Sequence, residues 1–257
     1  MQGYVAFLDV LGFTALVNRD ETGEKLKEFS RCLKEATDQL EIDFVVFSDS
    51  IVLTAKSDTE EAFFSILQAC SKLFASLLEQ HIAIRGAIAF GTYQRQLMGE
   101  SVFVAGSALI EAYHYETKQD WVGVMIAPSV RERLPDLPKK CSFGIMGPGI
   151  GPQGPWAAFA QPCVIPFHGN PDDAREYHGF AVSPSTKTEA PLDNHAGIVW
   201  AATHLARLRD VAPGPQEQQK HIRTIRWLYT VEEKWREVYG REKMAREMEE
   251  RQRRNLR

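Results

Sequence analysis

The chain has 257 residues, and its 44% hydrophobic content is enough for a substantial core, which excludes a disordered chain. Its formal net charge of -4, with 25% charged residues, gives no sign of a nucleic-acid or membrane partner. No apolar run of about 18 residues predicts a membrane span, and the apolar start carries Asp9 and lacks the basic leading region of a signal peptide.

The four cysteines occur singly, with no Cys-x-x-Cys pair; they are Cys32, Cys70, Cys141 and Cys163. This pattern favours reduced thiols in a cytoplasmic protein over a disulfide frame or a zinc site. The simplest interpretation is that they are buried as small hydrophobic side chains.

The first predicted element is a buried strand that begins at Tyr4 and ends near its one carboxylate, Asp9. Gly12 then predicts a tight turn, and Thr14 lies near the start of a helix. A lone carboxylate at the end of a buried strand is costly unless it has a partner. Taken singly, Asp9 could also be a helix cap.

An amphipathic helix is predicted from Glu24 to Leu40, followed by strands at about 44–47 and 51–55. The two strands form a hairpin with Asp49 at its tip, between Ser48 and Ser50. Asp49 could equally be an ordinary hairpin turn residue.

A second amphipathic helix follows a capping-box pattern from Ser57 to Glu60, and a strand from His81 to Phe90 comes next. The resulting β-α-β-β-α-β order predicts an α+β fold, the ferredoxin-like palm. In that arrangement strand one lies beside the hairpin, so Asp9 and Asp49 converge at adjacent strand ends. Two such acids suit magnesium, which prefers one or two carboxylates plus phosphate oxygens, and they predict a two-metal phosphate site.

The remaining elements are a turn region around Gly99, a helix at about 105–118, a short strand at 121–126 and a helical turn at Pro128. We predict a core at 1–134, Pro/Gly-rich strands at 135–190 that complete the domain, and a helical extension at 191–257. The last helix should pack on the body or on a second subunit. Its basic end, 241–257, is more typical of a solvated helix end than of a nucleic-acid arm.

A Gly-x-Gly-x-x-Gly string occurs at 149–154, the pattern of a dinucleotide-binding loop. Pro152 and Pro155 stand where the helix that holds a pyrophosphate should begin. We therefore expect no dinucleotide site there.

The segment Phe7-Leu8-Asp9-Val10-Leu11-Gly12-Phe13-Thr14 resembles the signature of class III nucleotidyl cyclases. Weaker likenesses follow at Phe47-Ser48-Asp49-Ser50, at Arg85–Gly91 and at Gly106–Ala112. The wording of these segments is closest to the bacterial pyrimidine cyclases of the Pycsar anti-phage systems. Those enzymes are soluble homodimers that make cyclic UMP or cyclic CMP.

The resemblance implies a cyclase fold in which Asp9, Asp49 and the carbonyl of Val10 hold two divalent ions, manganese or magnesium. It also implies that backbone N–H groups of Gly12, Phe13 and Thr14 receive the β- and γ-phosphates.

Arg85, with Ser48 or Ser50, is a candidate to contact the base or a phosphate. The alternative for Arg85 is a surface ion pair.

Two departures from the family concern the base. The Lys and Asp that read adenine in adenylate cyclases are replaced by Val45 and Phe103, which cannot make those hydrogen bonds. This favours a pyrimidine, and only the Pycsar likeness favours uracil over cytosine.

The family's Asn and transition-state Arg are replaced by Ile110 and His114. A histidine is only partly charged at neutral pH, and a polar residue on a half-buried helix is the simpler interpretation. Other candidates to approach the site are Glu111 and Tyr113 on the same helix. Arg85 or the Lys139-Lys140 pair could instead supply the positive charge.

The sequence thus favours a homodimeric uridylate cyclase that converts UTP to cyclic UMP and pyrophosphate, an anti-phage signal read by a separate effector. Alternatives are a cytidylate or adenylate cyclase, or a catalytically silent module that binds a nucleotide and regulates a partner. A palm-type polymerase or diguanylate cyclase shares the two acids, but the sequence shows no basic channel.

Overall fold

A computed structural model describes residues 1–141, 143–146, 149–152, 160–166, 176–182, 194–231 and 233. Its strands are β1 Gln2–Leu11, β2 Ile42–Phe47, β3 Ser50–Ala55, β4 Ala83–Thr92, β5 Gln94–Met98, β6 Ser101–Ala105, β7 Gly123–Ile126, β8 Phe143–Met146, β9 Gly149–Pro152, β10 Ala160–Pro166 and β11 Glu176–Val182. Its helices are α1 Phe13–Arg19, α2 Glu24–Thr37, α3 Glu60–Glu79, α4 Ser107–Lys118, α5 Pro128–Arg133, α6 Leu137–Lys140, α7 Asn194–Val211, and α8, described over 215–231.

Seven strands form one sheet in the order β10-β11-β7-β4-β1-β3-β2. The segment β4-β1-β3-β2 is antiparallel throughout and follows the β-α-β-β-α-β order along the chain. The predicted α+β ferredoxin-like palm with C-terminal helices is therefore confirmed. β7 adds parallel to β4, and β11 and β10 extend the sheet from there. The division at residues 134 and 190 stays a prediction.

The two faces of β1 carry different chemistry because side chains alternate along a strand. Tyr4, Ala6, Leu8 and Val10 are fully or almost fully buried on the face covered by α2 and α3. The opposite face carries Val5, Phe7 and Asp9 and is covered by α4, whose Tyr113 ring packs edge-on against Phe7 at 5.3 Å between centroids. The acid thus lies on the face away from the main core.

α3 is the central helix of that core. It begins at Thr59, whose hydroxyl accepts a hydrogen bond from the Ala62 N–H at 3.2 Å, so the predicted cap at Ser57 is wrong by two residues. By length and composition α3 is apolar enough to span a membrane, but it is mostly buried inside the protein, as a core helix is.

Two predicted segments differ from the structure. The turn region around Gly99 is a hairpin of β5 and β6, with Gly99 at φ 64° in its turn. The Gly-x-Gly string begins as a strand, Gly149–Pro152, paired with β8 and not as a helix start, although residues 153 and 154 lie outside the described chain.

α8 packs on the body of the same chain. The Thr224 hydroxyl accepts from the Val122 N–H at 2.9 Å and donates to the Val122 carbonyl at 2.8 Å, and Trp227 packs edge-on against Trp121 at 5.1 Å. This confirms the first of the two predicted packing partners for the last helix. The basic end at 241–257 lies outside the described residues.

Candidate active site

Asp9 and Asp49 meet at one end of the sheet. Asp9 lies opposite Ser50 in the β1–β3 register, and the N–H of Val10 donates to the carbonyl of Asp49 at 2.9 Å. The hairpin turn is tight because Ser48 adopts φ 57°, in the left-handed region. The predicted convergence of strand one with the hairpin tip is therefore present in the structure.

The turn after β1 leaves the start of α1 without a side-chain cap. Its N-cap is Gly12 at φ 76°, and no described side chain accepts a hydrogen bond there. Asp9 is thus not a helix cap, which removes the structural alternative for that residue. The first N–H groups of a helix have no intrahelical acceptor, and Gly12 and Thr14 are exposed.

The surroundings of Asp9 disfavour the charged form of its carboxylate. Its pKa is raised, first by burial and also by the negative charge of Asp49, while Arg85 and Lys220 act in the opposite direction. The two carboxylates are therefore close enough to repel each other. A cation placed between them relieves that repulsion.

Arg85 lies opposite Asp9 in the β1–β4 register, with its Nη2 atom 3.7 Å from the Asp9 Oδ2 atom. The same guanidinium pairs with Glu116, and its Nη1 donates to the Gln119 carbonyl at 3.4 Å. Arg85 thus forms ion pairs, as the alternative had it, but with only 17% of its side chain exposed they are largely buried and not on the surface; its contact with base or phosphate stays a prediction. Arg85 is a largely buried cation shared by two acids.

Glu116 is a site residue that the sequence analysis missed. It is 2% exposed, and its pKa is raised by burial and by Asp9 and lowered by Arg85 and Lys220. The sequence spacing could have identified it, because Ala108, Ala112 and Glu116 lie at four-residue steps on the buried face of α4. An acid in such a stripe requires a cation, which Arg85 supplies.

α8 brings two further basic residues to the site, and both were also missed. Arg223 pairs with the buried Asp120 and donates to its carbonyl at 3.0 Å. Lys220 acts electrostatically on both Asp9 and Glu116. Lys220 lies one turn before Thr224 on the face that packs on the body, which is the feature that could have identified it.

Two of the predicted candidates lie away from the acids. Lys140 pairs with Glu60 at the start of α3. β3 begins at Ser50, beside Asp9, and runs toward the start of α3. The Lys139-Lys140 pair is therefore at the other end of the sheet from the acids. Glu111 accepts from the Ser129 N–H at 3.4 Å and so faces α5.

The exposed side of α4 carries Ile110 and His114, the two predicted departures from the cyclase pattern, together with Tyr113. Ile110 is 69% exposed and Tyr113 54% exposed, and His114 is exposed as well. None of the three makes an ion pair within the described chain. Among the described residues, the positive charge that acts on Asp9 comes from Arg85 and Lys220.

The acids fit divalent ions. Asp9 and Asp49 are hard oxygen ligands at adjacent strand ends, both partly exposed. The described residues hold no cluster of three or more His, Cys, Asp or Glu side chains that could form a closed metal site. Two carboxylates with open positions match an ion that completes its shell with water and substrate phosphates.

Two cavities adjoin this end of the sheet. One of about 670 Å³ extends from Gly12 and Ala15 at the β1–α1 turn to Lys25, His81 and Lys220. A second of about 370 Å³ is bordered by Arg85, Asp120, Lys220 and Arg223, with three further residues of α8. Lys220 lines both.

Neither a protein-family model nor a curated protein matches the sequence. Among solved structures, the adenylyl cyclase CyaB from P. aeruginosa is similar at 13% identity and a TM-score of 0.47, with 74% of this chain and 95% of that chain covered. An adenylate cyclase from Trypanosoma brucei is similar at 12% identity and a TM-score of 0.47, with 72% of this chain and 91% of that chain covered. The guanylyl cyclase domain of the RhoGC fusion protein from the fungus Blastocladiella emersonii is similar at 12% identity and a TM-score of 0.45, with 70% of this chain and 94% of that chain covered. These TM-scores lie below 0.5, so we infer the function below from the residues of this chain.

Proposed function

We propose that the protein is a nucleotidyl cyclase that converts UTP to 3′,5′-cyclic UMP and pyrophosphate. The observation that carries the proposal is the meeting of Asp9 and Asp49 at one sheet end, directly before the uncapped turn at Gly12. The resemblance of Phe7–Thr14 to the class III cyclase signature supports the proposal, because it implies that a triphosphate binds beside Asp9 and at this turn.

The reaction joins the 3′-oxygen of the nucleotide to its own α-phosphorus and breaks the bond to the pyrophosphate. Two bound divalent ions supply Lewis-acid chemistry, activating the attacking hydroxyl and neutralising the leaving phosphates. In this chain Asp9 and Asp49, with the carbonyl of Val10, would hold them. Arg85 keeps the Asp9 carboxylate in place through its ion pair and balances Glu116 behind it.

The substrate would be held by the backbone and by the hairpin. N–H groups of Gly12, Phe13 and Thr14 would receive the β- and γ-phosphates, as the resemblance implies. Ser48 and Ser50 flank Asp49 and offer hydroxyls to the ribose, base or phosphate. Arg85 is already engaged with two acids, so its contact with substrate would be secondary to its hold on Asp9.

The choice of a pyrimidine rests on Val45 and Phe103. Apolar side chains at the two adenine-reading positions leave that base's polar edge without partners, which costs affinity for ATP. Uracil over cytosine follows only from the likeness to Pycsar cyclases, and so does an anti-phage role with a separate effector that reads the product.

A second copy of the chain would complete the site. α4 covers β1 and β4, but on the same face Phe47 of the hairpin is 80% exposed, and Ile110 and Tyr113 of α4 are also exposed. Phe47 borders the end of the sheet that carries the acids, and Tyr113 packs on Phe7, two residues before Asp9 in the same strand. An isologous dimer would cover them and place partner groups beside each triphosphate.

A nucleotide panel tests the proposal. Purified protein is incubated with manganese and each of UTP, CTP, ATP and GTP, and products are identified by mass spectrometry. We expect cyclic UMP as the main product and its loss in Asp9→Ala, while Asp38→Ala, an exposed acid at the end of α2, keeps full activity. Preferential turnover of ATP would overturn the base assignment, and unchanged synthesis by Asp9→Ala would overturn the cyclase proposal.

One observation favours a second candidate, a silent nucleotide-binding regulator. Arg85 already offers Asp9 a cation at 3.7 Å, and Ile110 cannot act as the family's Asn. Under this alternative the protein binds UTP and forms no cyclic product from any triphosphate.

A further inference from the structure

The 670 Å³ cavity joins the turn after β1 to a helix that the cyclase signature does not include. Gly12 and Ala15 line one side, and Lys220 of α8 lines another. The volume is typical of a small-ligand site. Its lining includes Gly12, three residues after Asp9, and the basic side chains Lys25 and Lys220, so a polyphosphate received at that turn would lie toward α8.

Lys220 points into that space because of its place on α8. It precedes Thr224 by one turn, and Leu228 follows Thr224 by another, so the three share a face. Thr224 is fixed to Val122 by two hydrogen bonds, and Leu228 is 3% exposed. The anchored face directs Lys220 toward the body, where it lines both cavities.

Lys220 differs from the other two cations of the site in its pairing. Arg85 is bound to Asp9 and Glu116, and Arg223 is bound to Asp120. Within the described chain the Lys220 ammonium has no carboxylate at ion-pair distance, although it is half-buried and acts on Asp9 and Glu116 from farther away. A half-buried cation without a close counter-ion is a ready site for an anion.

Divalent ions would strengthen this effect. If Asp9 and Asp49 bind divalent ions, Asp9 no longer offsets the charge of Lys220, while Glu116 stays paired with Arg85. The β- or γ-phosphate of a bound nucleotide would then be the anion that balances Lys220. Ile110 and His114 stand where cyclases have an Asn and an Arg, so the site lacks that arginine's positive charge. A cation elsewhere in the chain could supply the missing charge to the phosphates.

We infer that Lys220 binds the β- and γ-phosphates of the substrate, so that the C-terminal helix forms part of the catalytic site. This inference rests on the proposed function for the identity of the substrate. The residue acts as a phosphate ligand on the leaving group, and it takes no part in proton transfer.

The test uses the full chain with manganese and inorganic tripolyphosphate, a probe that has no base and cannot cyclise. Binding is measured by calorimetry for wild type, Lys220→Gln and Lys220→Arg. Arg226→Gln is the matched control, because it removes one positive charge from an exposed position of the same helix that lines neither cavity. We expect Lys220→Gln to weaken binding roughly tenfold, as for a lost charge-assisted hydrogen bond. Lys220→Arg and the control should stay close to wild type.

The kinetic readout separates this inference from the cyclase proposal. With UTP, Lys220→Gln should raise KM by a similar factor and lower kcat less. If wild type makes cyclic UMP but Lys220→Gln leaves both KM and tripolyphosphate affinity unchanged, the inference is overturned and the cyclase stands. If Arg226→Gln weakens binding equally, the effect is general charge and the inference is again overturned. Lys220-dependent binding of tripolyphosphate without any cyclic product supports the phosphate site and overturns the cyclase.

Discussion

Arg85 lies directly opposite Asp9 across the β1–β4 pair, and its Nη2 atom is 3.7 Å from the Asp9 Oδ2 atom. The same guanidinium pairs with Glu116, which is almost fully buried. One largely buried cation thus balances two acids at the end of the sheet where the hairpin carries Asp49. The ion pairs of the candidate site therefore also stabilise the fold.

Removing that cation should destabilise the protein. Arg85→Ala leaves Asp9 and Glu116 without their shared partner, and we expect a loss of about 2–4 kcal/mol in the free energy of unfolding. Urea denaturation measures it. Arg31→Ala is the control, because Arg31 pairs with Glu28 and Glu35 on the surface of α2 with 48% of its side chain exposed, and should cost under about 1 kcal/mol. Equal costs for the two variants would show that the Arg85 network is not a buried one.

The sequence predicted the meeting of the two acids because strand order in a β-α-β-β-α-β unit is strongly constrained. Asp9 and Asp49 each sat at the end of an apolar run, and the topology brings those ends together. The β5–β6 hairpin was not predicted, because most of its residues are exposed and lack the alternation that marks a half-buried strand.

The charged surroundings of the site were harder to predict. Glu116 is separated from Arg85 along the chain by the β5–β6 hairpin and most of α4, so only the packing of α4 on β4 shows that they pair. Lys220 lies farther still along the chain, and its role depends on where α8 docks. Sequence periodicity indicates which face of a helix is buried, but not which residues of the body that face will meet.

Dimer formation should depend on the exposed hairpin tip. Phe47→Asp places a charge on a side chain that is 80% exposed in the single chain, and we expect it to convert a dimer to a monomer in light scattering after gel filtration. Loss of cyclase activity should accompany that change. Val199→Asp, at an exposed apolar position of α7, is the control and should leave the dimer intact. A wild-type monomer with full activity would contradict the dimeric site.

The docking of α8 should depend on Thr224. Its hydroxyl satisfies both the N–H and the carbonyl of Val122 in a buried place. Thr224→Val keeps the shape and leaves these two groups unpaired, so we expect a loss of about 1–3 kcal/mol of stability. Thr230→Val is the matched control, since within the described residues the exposed Thr230 hydroxyl bonds to the carbonyl of Arg226 in its own helix. Thermal unfolding followed by circular dichroism compares them, and equal midpoints would contradict the docking.

His221 should make stability fall in mild acid. Burial lowers its pKa, and the nearby charges of Lys220 and Arg209 act in the same direction, while the Glu217 carbonyl opposes them. Below its ordinary pKa of 6.5 the unfolded chain therefore binds a proton that the folded chain resists. Stability should be lost as pH falls from about 7 to about 5. His221→Gln should flatten this slope in urea titrations, while the exposed His114→Gln should not; an unchanged slope in His221→Gln would contradict the prediction.

Counting bound manganese tests the central claim most directly. Paramagnetic resonance of free Mn²⁺ gives the number of ions held per chain in the presence of a non-hydrolysable UTP analogue. We predict about two ions for the wild type, as in other two-metal sites, and their loss or severe weakening in Asp9→Ala and Asp49→Ala. Asp38→Ala should bind as the wild type does. If both acid variants retain wild-type manganese binding, Asp9 and Asp49 do not form the metal site.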